Sequence, residues 1–482
     1  MTRPNILWYC TDQQRWDTIS ALGQKHIRTP MLDELCVGGV AFERAYTVSP
    51  TCTPSRASFM TGRYPASHHV YRNGNGYFPA HEKLITRLLA DAGYECGLIG
   101  KLHLSAGRHG EKRIDDGYTT FQWSLNTRTE YGRGSYGDWL REEKGVDPND
   151  LYAPFKQFCA PGVPTDLHQT TWVSEMAIRF IERKHNRPWM LSLNPFDPHV
   201  PFDAPPEYLT RVAKSTLPLP LFRPSDIEHQ RAFAILDQQS KIAHDPRIRN
   251  IPNNIRPSWP PLAYDALEIK ANYYAMIMLI DDQLRRIVDT LRATDQLENT
   301  IIIFMSDHGD MLGDHGLILK GCRFFDGLVR IPLIFHWPAM LNKNVRSNAL
   351  VETIDIAPTL LEAAGIDIPP YMQGRSLLPI MQGKKDPHTH KRFVISEYKD
   401  SMGGPQFNDH SHGSMVFDGR FKSVVYHGHN IGELYDTKND VGEFDNLWDN
   451  KNYCDVKLKC LKTHIDTMMA TVWTGPERTS PH

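Results

Sequence analysis

The chain has 482 residues, with 54 lysines and arginines against 56 aspartates and glutamates and a formal net charge of −2. That balance supplies no global field for nucleic acid or an acidic membrane surface, so neither partner is expected and any preference for anions must be local. The longest apolar runs, such as Tyr274-Ala275-Met276-Ile277-Met278-Leu279-Ile280, fall far short of the roughly 18–20 residues of a membrane span.

Residues 5–10 read as a short buried strand. They follow Met1-Thr2-Arg3-Pro4 with no charged n-region, apolar h-region or cleavage site, which predicts a cytoplasmic protein. A helical pattern at 82–92 precedes a strand-like run at 96–99, and another at 172–184 precedes a run at 189–193. The long helical pattern at 266–293 leads into runs at 300–305 and 331–336. This alternation predicts an α/β fold whose central sheet is mostly parallel and sandwiched by helices.

Between 218 and 263 the pattern is irregular, because Pro218, Pro220, Pro224, Pro246, Pro252, Pro257, Pro260 and Pro261 break any long element. It reads as a surface insertion, either a wall of a substrate pocket or a solvated excursion. After residue 378 short strand-like runs follow at 392–397, 415–417, 421–427 and 434–436, with a terminal helix near 456–472. The division expected is a catalytic domain over 1–378 and a smaller subdomain over 379–482, which offers a contact surface for a homo-oligomer. The eight cysteines show neither framework spacing nor a Cys-x-x-Cys pair, so free buried thiols in a reduced compartment are expected rather than disulfides or structural zinc. Trp123, Tyr131 and Phe324 could stack on a ligand ring, with core packing as the alternative.

In open parallel sheets, chemistry collects beyond the carboxyl ends of the strands. Here Thr11-Asp12-Gln13, Lys101-Leu102-His103, residues 194–199 and Ser306-Asp307-His308 all follow strand-like runs, so polar groups far apart in sequence can converge. Pro54 suits the first turn of a helix, which places Cys52 at its positive end. The dipole there favours an anion by about 0.3–1 kcal/mol.

Cys52-Thr53-Pro54-Ser55-Arg56-Ala57-Ser58-Phe59-Met60-Thr61-Gly62 carries the whole motif C-x-P-S-R-x-x-x-x-T-G. It resembles the type I, formylglycine-dependent sulfatases of the alkaline phosphatase superfamily. Gly100-Lys101-Leu102-His103, Pro198-His199-Val200-Pro201, residues 313–321 and Glu433-Leu434-Tyr435-Asp436 extend the resemblance over nearly the whole chain. It implies an antiparallel C-terminal subdomain and a sulfuric ester hydrolase acting on an organic sulfate, carbohydrate or aryl. It also implies that a formylglycine-generating enzyme oxidises Cys52 during maturation.

By the same resemblance Asp12, Gln13, Cys52, Asp307 and His308 hold one divalent metal. The oxygen-rich set favours Ca2+, with Mn2+ or Mg2+ as alternatives. Arg56 holds the hydrated aldehyde, Lys101 binds a sulfate oxygen or the residue 52 hydroxyl, Lys320 clamps the anion, and Asn73 contacts substrate or metal-bound oxygens. His199 protonates the leaving oxygen, and His103 takes the proton from the second hydroxyl of residue 52 so that sulfate is expelled. Gln13 and His308 depart from the commoner Asp and Asn, and that pairing resembles the choline-sulfatase and phosphonate-monoester-hydrolase branch. Two other readings therefore stand: a phosphonate monoester or phosphodiester hydrolase using the same site, and a binder of sulfated ligands with Cys52 left as thiol.

Overall fold

The computed structural model describes residues 3–107, 110–127, 134–152, 158–160, 162–248, 264–401 and 411–475. Eight strands form the main sheet: β1 (Asn5–Thr11), β2 (Val40–Phe42), β3 (Glu95–Gly100), β4 (Tyr118–Trp123), β5 (Trp189–Asn194), β6 (Thr300–Ser306), β7 (Leu333–His336) and β8 (Val345–Ser347). Their spatial order is β8-β2-β7-β6-β1-β5-β3-β4. β1 pairs in parallel with both β5 and β6, and β3 with β4 and β5. β7 runs antiparallel between β6 and β2. The expected mostly parallel sheet is present.

Strand alternation sends side chains of β1 to two different cores. Ile6, Trp8 and Cys10 join Ala57, Phe59, Leu89 and Leu360 on one face. These come from helices α2 (Cys52–Thr61), α3 (Ile85–Asp91) and α6 (Ile356–Ala363). Leu7 and Tyr9 face Leu35, Trp172, Ile280 and Leu284, on α1 (Pro30–Gly38), α4 (Gln169–Ile181) and α5 (Ala266–Ala293). Helix cover on both faces explains why β1, β5 and β6 are apolar along their length rather than alternating.

The run predicted at 331–336 is divided by Pro332, which has no N–H to donate to a sheet ladder. Arg330–Ile331 pairs with Ala45–Tyr46 in a small three-stranded sheet, and only Leu333–His336 enters the main one. Trp123 and Phe324 are buried in cores, and Tyr131 lies outside the described residues.

A second, antiparallel sheet follows in the order β9 (Val394–Lys399), β10 (His412–Phe417), β11 (Phe421–Tyr426), β12 (Gly432–Asp436). Helix α7 (Cys454–Met469) is fastened to it by His464, whose two ring nitrogens bond Ser414 Oγ (2.7 Å) and Ser423 Oγ (3.1 Å). All eight cysteines are free. No helix among the described residues is long and apolar enough to cross a membrane.

The described part of the proline-rich insertion, residues 218–248, lies at the surface, with Leu219, Leu221 and Ile235 exposed, and is tied to the body by hydrogen bonds. Pro218 O accepts from Lys270 Nζ (3.0 Å), Leu221 O from the His315 amide (2.6 Å), and Asp237 Oδ1 from the Cys322 amide (3.0 Å). The last two bonds brace the segment that carries Lys320.

Gly100 ends β3 at φ +104°, and a Cβ there would lie 2.1 Å from Asn194 O on β5. Only glycine allows this close approach, which aims Lys101 at the end of β1. Gly100→Ala is expected to lower stability by more than about 2 kcal/mol, read as a fall in the urea midpoint at unchanged slope.

Candidate active site

The carboxyl ends of β1 and β6 bring Asp12 and Asp307 together, and the first turn of α2 brings Cys52 to them. Asp12, Cys52, Asp307 and His308 are all buried, and one ligand atom from each lies within 4.8 Å of the others. Cys52 Sγ is 3.6 Å from Asp12 Oδ1, 3.2 Å from His308 Nε2 and 2.9 Å from Lys320 Nζ.

Burying two carboxylates is costly unless cations compensate them. Arg56, one turn into α2, donates Nε to Asp307 Oδ2 (2.9 Å) and places Nη2 3.7 Å from Asp12 Oδ2. Lys101 pairs directly with Asp12. Burial alone would raise the Asp12 carboxyl, but Lys101, His199, Lys320 and Arg56 outweigh it and hold the pKa well below the usual carboxylate range. Burial and Asp12 likewise oppose ionisation of Cys52, yet Lys101, Lys320 and His308 bring the thiol down to about 5. The site therefore stabilises an anion at position 52.

Gln13 adopts φ +71°, with its amide donating to Asp307 Oδ1 (3.0 Å). Its side chain bridges two groups: Oε1 accepts from Lys320 Nζ (2.9 Å) and Nε2 donates to Asp310 Oδ2 (2.5 Å). Lys320 thus faces Cys52, Gln13 and His308 at once. The His308 Nδ1 edge faces Gly309 O (2.8 Å), which turns Nε2 toward Cys52. Asp307 and Cys52 outweigh burial and Lys320 to raise the His308 pKa.

His199 is set by Val200 O, 2.6 Å from its Nδ1, and by ring contact with Phe196 at 4.5 Å. Burial first, then Lys320, holds its pKa well below the ordinary histidine value, against the pull of Asp12. His103 has φ +57°, and burial with Lys101 and Arg56 keeps it neutral. Asn73 Oδ1 accepts from the Thr53 amide (2.9 Å), so this oxygen satisfies an N–H at the start of α2.

Several contributors were not singled out from the sequence. Asp310 is buried and accepts from the Leu312 (2.7 Å) and Leu319 (3.0 Å) amides as well as from Gln13, which shapes the loop leading to Lys320. Its place three residues after Asp307 was the available signal. Glu111 accepts from the His103 (2.7 Å) and Ser105 (3.1 Å) amides, the Leu104 amide and Trp123 Nε1 (3.0 Å). Nothing in its local sequence points to that role.

The family described as Sulfatase matches residues 4–366, and the family described as N-sulphoglucosamine sulphohydrolase, C-terminal, matches residues 313–471. An arylsulfatase of Clostridium perfringens is 30% identical over 472 residues, covering 94% of this chain and 91% of the relative. An N-acetylglucosamine-6-O-sulfatase of Bacteroides thetaiotaomicron is 25% identical over 512 residues, covering 96% and 86%. The solved phosphonate monoester hydrolase of Agrobacterium radiobacter superposes with a TM-score of 0.81 at 25% identity, covering 98% and 96%. The chain belongs to the sulfatase family of the alkaline phosphatase superfamily and is a sulfuric ester hydrolase. The family generally carries a divalent metal and a cysteine-derived formylglycine, and the buried Asp12, Cys52, Asp307 and His308 offer a donor set that fits a cation.

With Arg56 replaced by methionine, Asp12 and Asp307 lose a buried partner. Arg56→Met is expected to destabilise chelator-treated protein by about 3–5 kcal/mol in urea unfolding. Added divalent cation should restore part of that loss, because it supplies the missing positive charge.

Proposed function

We propose that the protein hydrolyses the sulfate ester of a small molecule or saccharide, with Cys52 matured to formylglycine by a formylglycine-generating enzyme. The observation that carries this reading is the convergence of Cys52, Asp12, Asp307, His308, Lys101 and Lys320 in one buried cluster. Asp12, Asp307 and His308, with Gln13 beside them, would hold one divalent metal. The carboxylate oxygens suit Ca2+, and a nitrogen ligand from His308 is the feature that would select Mn2+ instead. The bound cation would polarise the sulfuryl oxygens and favour the ionised form of a ligated hydroxyl.

A hydrated formylglycine offers one hydroxyl for attack at sulfur and a second whose deprotonation expels sulfate. Arg56 orients this residue through its fixed pairing with Asp307. Lys101 and Lys320 bind the sulfuryl oxygens, and Asn73 anchors the start of α2 beside the substrate. His199 donates a proton to the departing oxygen, and neutral His103 accepts one from the second hydroxyl. The pKa of His199 lies low first because the ring is buried and then because of the Lys320 charge. An anionic ester seated beside both cations raises it, so the acid becomes protonated as substrate binds.

A second reading, hydrolysis of phosphonate monoesters or phosphodiesters, rests on the Gln13 and His308 pairing and on the superposition with the phosphonate monoester hydrolase of Agrobacterium radiobacter. A neutral Gln13 leaves the site less negative, which serves a singly charged sulfur or phosphorus ester alike. Rates on an aryl sulfate, a sulfated monosaccharide, a phenyl phosphonate monoester and a phosphodiester, measured in parallel, decide between the two; a strong preference for phosphorus would overturn the first. Intact-peptide mass spectrometry after co-expression with a maturation enzyme is expected to find residue 52 as formylglycine. Thiol alone would leave only binding of sulfated ligands.

His199→Ala is expected to cut kcat/KM on an alkyl or sugar sulfate by about 10²–10⁴-fold. On 4-nitrophenyl sulfate the loss should be much smaller, because that leaving group departs without a proton.

A further inference from the structure

A cavity of about 660 Å³ opens between the approach to β9, the β10–β11 hairpin and α7, away from the residues described above. Its size lies within the roughly 300–1,000 Å³ range of small-ligand sites. Five cationic side chains line it, Arg44, Lys391, Arg392, Arg420 and Lys459, and Asp418 is its one acidic lining residue. Asp418 Oδ1 is already engaged by the Arg420 (2.8 Å) and Phe421 (2.6 Å) amides. Lys391 is neutralised by Glu352 and Asp355, and Arg420 by Asp436. Arg44 donates to a backbone carbonyl, Gly419 O at 2.8 Å, and neither it, Arg392 nor Lys459 forms an ion pair with a carboxylate among the described residues. Three cations without an ion-pair partner, from three separate segments, thus share one concave surface with a single carboxylate, in a chain whose net charge is −2. The local excess of positive charge favours an added anion.

This groove is distinct from the active site. β9 reaches the catalytic loop through its carboxyl end, where Ser401 Oγ bonds Thr51 Oγ1 (2.8 Å) next to Cys52. The groove lies at the other end of the same strand, where Val394 pairs with Phe417. Five residue steps along the strand separate Val394 from Lys399, about 17 Å.

We propose that this groove is a second site that binds a sulfated oligosaccharide and tethers it while another of its sulfates reaches residue 52. The choice of a saccharide rests on the function proposed above. The lining suits it: Arg392 and Arg420 lie over the rings of Phe393 (5.2 Å) and Phe421 (4.7 Å), with Ser423 and Thr463 hydroxyls beside them. Apolar ring faces next to guanidinium groups match a sugar ring bearing sulfates. Tethering raises the local concentration of the remaining sulfates without any new contact at the catalytic centre.

Cys460 lines the groove, whereas Cys454 is exposed outside its lining on the same helix. A heparin-derived tetrasaccharide is therefore expected to slow iodoacetamide labelling of Cys460 severalfold and leave Cys454 unchanged, as read by peptide mass spectrometry at low salt. The double variant Arg392→Ala/Lys459→Ala should weaken tetrasaccharide binding about tenfold, with the contrast fading at high salt. Its kcat/KM on 4-nitrophenyl sulfate should stay unchanged. Unaltered Cys460 labelling, or equal protection by a short DNA duplex, would overturn the proposal. Because binding is read directly, protection of Cys460 in a protein that hydrolyses only phosphorus esters would uphold the groove while sinking the catalytic assignment.

Discussion

The site depends on charge compensation in a dry interior. Asp12 and Asp307 are fully buried at the ends of adjacent parallel strands, and Arg56 and Lys101 supply the cations that pair with them. Every other feature follows from keeping those charges balanced. A bound cation adds positive charge to the same cluster and an anionic ester removes it. Catalysis is thereby coupled to an electrostatic balance that the protein alone has already brought near neutrality.

The fold places these charges with little freedom. Asp12 follows β1, and its amide donates to Asp197 O (3.1 Å), which ties it to the loop that carries His199. Ser55 Oγ donates to Asp307 O (2.7 Å), so the helix bearing Cys52 is fastened to the end of β6. Arg56 Nη1 donates to Lys101 O (3.2 Å), which adds the end of β3. Three strand ends and one helix start are joined through groups that also belong to the site, so displacement of any one element is felt at Cys52.

Much of this was legible in the sequence because it is local. Residues 266–293 are helical at the bounds their periodicity gives, and the polar residues after the strand-like runs converge as strand ends do in parallel sheets. Strands β2, β4 and β8 were not legible. β2 and β8 are three residues each and β4 mixes polar with apolar positions, so neighbours rather than pattern decide their pairing. Glu111 was equally hidden. Its carboxylate gathers three backbone amides and an indole N–H, a role defined by a loop's path and by no motif. The packing of residues 218–248 was undecided for a related reason: prolines announce irregular backbone but not what it lies against.

Neither shape nor charge separates a sulfate from a phosphonate monoester at this site. Both esters present a tetrahedral centre with anionic oxygens, which the cations of Lys101 and Lys320 suit equally. A sulfate monoester and a phosphonate monoester each carry one negative charge near neutrality, whereas a phosphate monoester carries close to two. Neutral Gln13 bridges Lys320 and Asp310, where a carboxylate would pair with Lys320 and cancel its charge. Lys320 therefore keeps its positive charge for the substrate. A site so arranged is matched to a singly charged ester, which places sulfate and phosphonate monoesters together and sets phosphate monoesters apart.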